Sequence, residues 1–188
     1  MNTGLYITKI NKPASKDHKY DSYIAHKLLN QLTNIDDREI IKNEYGKPYY
    51  NNSSIFFNLS HSNNFACCYL DIQEVGVDIQ YFKETNKFIN ISKRFFKEEE
   101  YNYIIDSNDS LLAFYRIWSA KESYIKLKGL GLSISLNSFL VELPNNIGDI
   151  FRIDDVYLKE FLINNEYICT ISAYSSHFPC EIKEFEVV

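Results

Sequence analysis

Apolar and polar positions along the chain alternate between two periods. Residues 4–10 read as a short strand. Residues 21–32 set Ile24, Leu28, Leu29 and Leu32 at helical spacing. Residues 36–43 are expected to form another short helix, and Tyr45-Gly-Lys-Pro48 is a turn, because glycine and proline interrupt either regular structure. Three short apolar runs follow, at 55–59, 65–70 and 75–79, separated by Ser-His-Ser-Asn-Asn and Asp-Ile-Gln-Glu; they predict a meander of strands. A polar stretch, 83–90, reads as a loop between halves. Residues 91–106 read as a helix with Phe95, Phe96 and Tyr103 facing a core. A long helix comes next, with Asn108 or Asp109 to cap its start, Gly129 just past its end, and Leu111, Phe114, Trp118 and Ile125 on one face. Beyond Ser138 the pattern alternates as strands, at 139–143, 157–163, 167–174 and 181–187.

Both halves place a helix before strands. The expected fold class is therefore α/β (α+β): a pseudo-twofold pair of similar lobes, each a small, mainly antiparallel sheet packed with a long helix. The N-terminal lobe is expected at 1–82 and the C-terminal lobe at 83–188.

Composition narrows the function more than the fold. A net charge of -5 argues against a nucleic-acid partner, which calls for a basic face. No apolar run reaches the length of a membrane span, and the first residues lack a charged segment followed by an apolar core, so a cytoplasmic protein is expected. The four cysteines include no Cys-x-x-Cys pair and read as reduced thiols.

Glu122 and Lys126 stand four residues apart on the long helix. On an exposed helix such a pair is a commonplace salt bridge, contributing roughly 0.3–0.5 kcal/mol. Glu122, however, lies about 40° around the helix from Trp118, at the edge of the apolar face, where a carboxylate needs a cation or metal as partner. Asp78 ends a predicted strand with Gln80 and Gly76 on the same face. It is either a turn former or a hard oxygen ligand for Mg²⁺. Ser60 and His61, after a strand, can hydrogen-bond a phosphate. Lys47, in Gly46-Lys47-Pro48, offers either a point charge or a plain solvated turn.

The order of these motifs is more specific than any one of them. Gly-Lys-Pro, Phe-Asn-Leu-Ser-His-Ser, Gly-Val-Asp-Ile, Arg-Phe-Phe-x4-Tyr and Trp-Ser-x-Lys-Glu-Ser-x-x-Lys follow one another over residues 45–140. In that order they resemble the 4′-phosphopantetheinyl transferases, in particular the Sfp-type branch that acts mainly on carrier domains of secondary-metabolite synthases. The resemblance implies transfer of 4′-phosphopantetheine from coenzyme A, with Mg²⁺, to a serine of an apo acyl or peptidyl carrier protein, releasing adenosine 3′,5′-bisphosphate. It implies Asp78 and Glu122 as metal ligands, Glu122 also as the base or its orienter, and Lys126 as the clamp on the pyrophosphate. Ser60 and His61 would contact coenzyme A phosphates, His61 the 3′-phosphate, and Lys47 would lie near the adenine and phosphate end. Glu100 and Lys19 are weaker candidates, for helping the base and for a phosphate contact. Many members of the branch have Glu where this chain has Gln80, an amide that can coordinate through oxygen but adds no charge. The branch is usually monomeric. A partner surface is expected on residues 81–90 and the helix after them, with Phe88, Ile89 and Phe95 meeting the carrier. A non-catalytic coenzyme A or carrier-protein binding module of the same fold is the alternative, and a Mg²⁺-dependent phosphohydrolase a third reading.

Overall fold

The computed structural model describes residues 3–11, 18–51, 53–85 and 87–188. Strand β1 (Gly4–Lys9) and helix α1 (His18–Thr33) are followed by a 3₁₀ turn at Asp37–Glu39 and the hairpin β2 (Ile40–Lys42) and β3 (Pro48–Tyr50). Strands β4 (Phe56–Ser62), β5 (Phe65–Asp71) and β6 (Val75–Tyr81) precede three helices, α2 (Lys87–Phe95), α3 (Glu98–Asp106) and α4 (Ser110–Lys128). Strands β7 (Ile150–Ile153), β8 (Val156–Ile163), β9 (Tyr167–Ala173) and β10 (Ile182–Glu184) complete the chain. The architecture is mixed α/β, with two four-stranded sheets ordered β10-β1-β5-β4 and β6-β9-β8-β7. Every pairing in these sheets is antiparallel except β1 with β10. No helix among the described residues is long and apolar enough to cross a membrane.

Helix α1 buries Ile24, Ala25, Leu28 and Leu29 and packs on β4 and β5. Helix α4 lies across β6 and β9. Its ends are set as the sequence predicts: Asp109 accepts a hydrogen bond from the Leu112 N–H at 2.9 Å, and Gly129 takes the left-handed conformation (φ 67°) that stops the helix. The helix can approach β6 closely because position 76 is glycine. A Cβ there would stand 2.1 Å from the Ser123 carbonyl oxygen and 2.8 Å from the Leu127 nitrogen. This approach carries Glu122 and Lys126 to the strand that holds Asp78.

The two sheets meet edge to edge at β4 and β6, with side chains in place of a backbone ladder. Asn58 Oδ1 accepts from the Val77 N–H (3.0 Å), Ser60 Oγ from Ile79 (3.3 Å) and Ser62 Oγ from Tyr81 (3.0 Å). The constant offset makes the two strands parallel. Alternate residues of a strand share a face, so three short polar side chains at 58, 60 and 62 suffice to satisfy one edge of β6.

Several expectations are corrected. Strand β6 leaves the expected meander and pairs with β9. By hydrogen bonding, then, β6 belongs to the second sheet and β10 to the first. Residues 36–43 form only one 3₁₀ turn, capped by Asp36 on the Arg38 N–H, because residues 40–42 pair with 48–50 across the Gly46 turn. Residues 87–90 are helical, not loop, and the helix expected over 91–106 breaks at Lys97, whose N–H donates to Glu100. Phe96 is buried, but Phe95 and Tyr103 are 41% and 46% exposed. Residues 139–143 form no strand. The Val141 N–H goes to Glu100, and the Leu136 and Phe139 carbonyls accept from Lys121, so side chains take the groups a ladder would need. Strand β7 was not anticipated.

Gly76→Ala is expected to destabilise the protein by about 3 kcal/mol, because its methyl meets helix backbone that cannot rotate away. A urea titration measures this, and a midpoint equal to wild type would contradict the close-packing account.

Candidate active site

Asp78 is 2% exposed and sits in the middle of the β4–β6 seam, where each of its oxygens has a partner. Oδ1 accepts from the Lys126 ammonium at 2.7 Å and from the Ser60 hydroxyl at 3.2 Å, and Oδ2 accepts from the Gln80 amide at 2.8 Å. Lys126 donates as well to Ser60 Oγ and to the Val77 carbonyl, both at 3.0 Å. The Val77 carbonyl lies on the edge of β6 that faces β4. Ser119, two turns earlier on α4 than Lys126, donates to the Asp78 carbonyl at 3.2 Å. Strand β4, strand β6 and helix α4 thus converge on one carboxylate.

Next to this cluster opens a cavity of about 370 Å³. Lys126 and Glu122 face it from α4, His61 from β4, and Lys47 from the Gly-Lys-Pro turn. Asp78, Ser60 and Gln80 do not line it and lie behind Lys126. The wall opposite is formed by α1, whose Ser22, Ala25 and His26 present an i, i+3, i+4 face.

Lys126 and Glu122 respond differently to burial. Burial alone pulls the lysine down, but the charge and hydrogen bond of Asp78 more than offset it, leaving Lys126 above its ordinary value and firmly cationic. Burial pushes Glu122 up, the Asp78 carboxylate pushes it further, and Lys126 only partly opposes them. The lysine turns to Asp78, and the helical Glu122–Lys126 salt bridge does not form. Glu122 therefore feels the ammonium only through space, with the Asp78 carboxylate as a like-charged neighbour. Among the described residues no three His, Cys, Asp or Glu side chains cluster as a ready-made metal site.

The other candidates separate. Lys47 pairs with Glu74 and donates to the Leu127 carbonyl at 2.9 Å, near the C-terminus of α4. Asn43 caps the same helix end through the Gly129 carbonyl at 2.8 Å and holds the Lys47 N–H at 2.9 Å. Glu100 is fully buried elsewhere, paired with Lys121 at 2.7 Å and bonded to the Val141 N–H, so it supports the α3–α4 core. Lys19 is exposed near the start of α1 and does not line the cavity. His26 was missed by sequence reading. Its only signal was the spacing from Ser22 on α1, which acquires meaning once α1 docks beside β4.

The family model described as the 4′-phosphopantetheinyl transferase superfamily matches residues 74–172, which hold Asp78, Gln80, Glu122 and Lys126. The chain is similar to the 4′-phosphopantetheinyl transferase Sfp of Bacillus subtilis (strain 168), 32% identical over 181 residues, covering 88% of this chain and 80% of the relative. It is also similar to the 4′-phosphopantetheinyl transferase gsp of Aneurinibacillus migulanus, 38% identical over 123 residues, covering 63% of this chain but 51% of the relative. A third relative, a 4′-phosphopantetheinyl transferase of Bacillus subtilis, is 34% identical over 152 residues, covering 76% and 67%.

Because the folded state holds Glu122 above the ordinary glutamate value, its charge costs stability. The cost is absent below the unfolded-state pKa and grows as pH rises through the folded one. Glu122→Gln is therefore expected to raise the urea midpoint at neutral and alkaline pH, the gain vanishing as pH falls and wild-type Glu122 protonates. A variant less stable than wild type at pH 8 would contradict this sign.

Proposed function

The chain belongs to the 4′-phosphopantetheinyl transferase superfamily, and from that membership we propose that it transfers 4′-phosphopantetheine from coenzyme A to a serine hydroxyl of an apo acyl or peptidyl carrier protein. The carrier domains of secondary-metabolite synthases are the proposed partners. The observation that carries this reading is Lys126: an ammonium facing a ligand-sized cavity, anchored by buried Asp78, with Glu122 one turn away on the same wall.

In the reaction the carrier serine oxygen attacks the phosphorus bonded to pantetheine. The bond from that phosphorus to the bridging oxygen breaks, and adenosine 3′,5′-bisphosphate leaves with the electron pair. Phosphoryl transfer of this kind needs positioning and charge neutralisation more than covalent work by the protein. Lys126 meets the charge that gathers on the pyrophosphate and the leaving group. Glu122, with its raised pKa, is a better proton acceptor than an ordinary glutamate and takes the serine proton directly or through a water. Ser60 is committed to Asp78, Lys126 and the Ile79 N–H, so its part is to hold the clamp in place. His61 faces the cavity and is assigned to a coenzyme A phosphate, and Lys47 to the adenine and phosphate end.

The donor set fits Mg²⁺. The Asp78 and Glu122 carboxylates repel each other, only Asp78 holds the ammonium, and hard oxygen ligands of this kind suit that ion. Asp78 and Glu122 would hold it, with the Gln80 amide oxygen near. Gln80 already spends its NH₂ on Asp78 and adds no negative charge. The ion supplies positive charge to phosphate oxygens when bound. A pseudo-twofold pair of lobes at 1–82 and 83–188, acting as a monomer, is part of the same reading. Four free cysteines suit a reducing, cytoplasmic setting.

Incubation with coenzyme A, Mg²⁺ and an apo carrier is expected to add the mass of one phosphopantetheine to the carrier. Bound coenzyme A with an unmodified carrier would show a binding module instead, and phosphate release without carrier a phosphohydrolase. Asp78→Ala, Glu122→Ala and Lys126→Ala are each expected to lower transfer by about 10²–10³-fold with circular dichroism unchanged. Near-wild-type turnover in Glu122→Ala would overturn the mechanism. Gln80→Glu is expected to improve transfer only modestly, and rescue of an otherwise inactive wild type by this change would contradict the role given to Gln80.

A further inference from the structure

Helix α4 buries Ser119, Ser123 and Leu127 at successive turns of one face. Each is tied to a neighbouring element. The Ser119 hydroxyl donates to the Asp78 carbonyl on β6 at 3.2 Å, and the Leu127 carbonyl accepts from the Lys47 ammonium at 2.9 Å. Between them, the Ser123 carbonyl accepts from the Ser172 hydroxyl of β9 at 2.9 Å, and the Ser123 hydroxyl donates back to Ser172 Oγ at 2.9 Å. Glu122 and Lys126 stand on either side of this middle tie along the helix.

Ser172 is placed to set the height of the helix above the sheet. It is the direct cross-strand partner of Gly76, and a Cβ at position 76 would come within 2.5 Å of Ser172 Oγ. Gly76 gives α4 room to approach, and the Ser172 hydroxyl fixes where the approach ends. Ser123 and Ser172 are both 0% exposed, so water does not compete for their bonds. A carbonyl oxygen has two lone pairs, so that of Ser123 takes the Ser172 proton and keeps its place in the helical ladder.

We propose that Ser172 is a positioning residue for the transfer, holding α4 at the height that sets Glu122 and Lys126 against Asp78. The inference rests on the transfer reading above. Ser172 acts through the Ser123 backbone and leaves the chemical step to the groups on α4 and β6. A reacting group displaced by about 1 Å loses much of its effect on rate, so the tie matters more to turnover than to the binding of coenzyme A.

The test is steady-state transfer from coenzyme A to an apo carrier by the full chain with Mg²⁺. Ser172→Ala is expected to lower kcat about tenfold and to change KM for coenzyme A by less than about twofold, since α1, β4 and the Gly-Lys-Pro turn of the cavity stay in place. Ser123→Ala removes the hydroxyl but leaves the Ser172 bond to the backbone, and is expected to keep kcat within about twofold of wild type. Ser172→Cys, whose thiol donates weakly, is expected to fall between wild type and Ser172→Ala, and it serves the same comparison if the alanine variant does not fold. A lower urea midpoint in Ser172→Ala with wild-type kcat would show packing alone and overturn the proposal. So would equal kcat losses in the two alanine variants, or a loss confined to KM. A wild-type protein that modifies no carrier would refute the transfer reading alone. Crystal structures of the variants then decide the Ser172 role separately. A displaced α4 with Lys126 drawn off the 2.7 Å contact to Asp78 in Ser172→Ala, but not in Ser123→Ala, supports it, and an unmoved helix refutes it.

Discussion

Three backbone N–H groups on the edge of β6 find their acceptors in the side chains of Asn58, Ser60 and Ser62, and the rest of the site depends on that substitution. A buried N–H left without an acceptor costs about 1–3 kcal/mol, so the two edge strands must be joined in some way. Joining them through a backbone ladder would make one continuous sheet and occupy the Val77 carbonyl. Joining them through short side chains leaves that carbonyl and the Ser60 hydroxyl for the Lys126 ammonium. The seam is thus both a structural joint and the floor of the proposed active site. Gly76 completes it by letting α4 come close enough for Lys126 to reach across.

The charges gathered at this joint are not arranged for stability. Asp78 is well served by Lys126, Ser60 and Gln80, whereas Glu122 is half-buried, near a like charge, and raised in pKa as a result. Structural ion pairs in the same chain look different. Glu100 and Lys121 are fully buried together, and Glu100 spends its oxygens on the Lys97 and Val141 N–H groups as well. Glu122 is thus a carboxylate under strain, and Glu100 a saturated one that holds a core.

Periodicity revealed most strands and the whole of α4, because those patterns are local. It could not assign β6 to the second sheet, since strand partnership depends on residues nearly a hundred positions away. Nor could it see that residues 139–143, which alternate like a strand, would give their backbone groups to Glu100 and Lys121. The site was legible to the extent that its residues fall in ordered motifs, and Asp78, Ser60 and Lys126 do meet. The tie between Lys126 and Asp78 was hidden, because Glu122 was the nearer partner along the helix. His26 was hidden more deeply: the cavity is not adjacent to it until α1 packs on β4 and β5.

Amide hydrogen exchange at Val77, Ile79 and Tyr81 tests the seam most directly. The account predicts that all three exchange slowly in the native protein, and that Asn58→Ala speeds exchange at Val77 by about tenfold or more, the loss of one buried hydrogen bond. Exchange at these amides as fast as in the exposed loops, or a Val77 rate indifferent to Asn58, would contradict it.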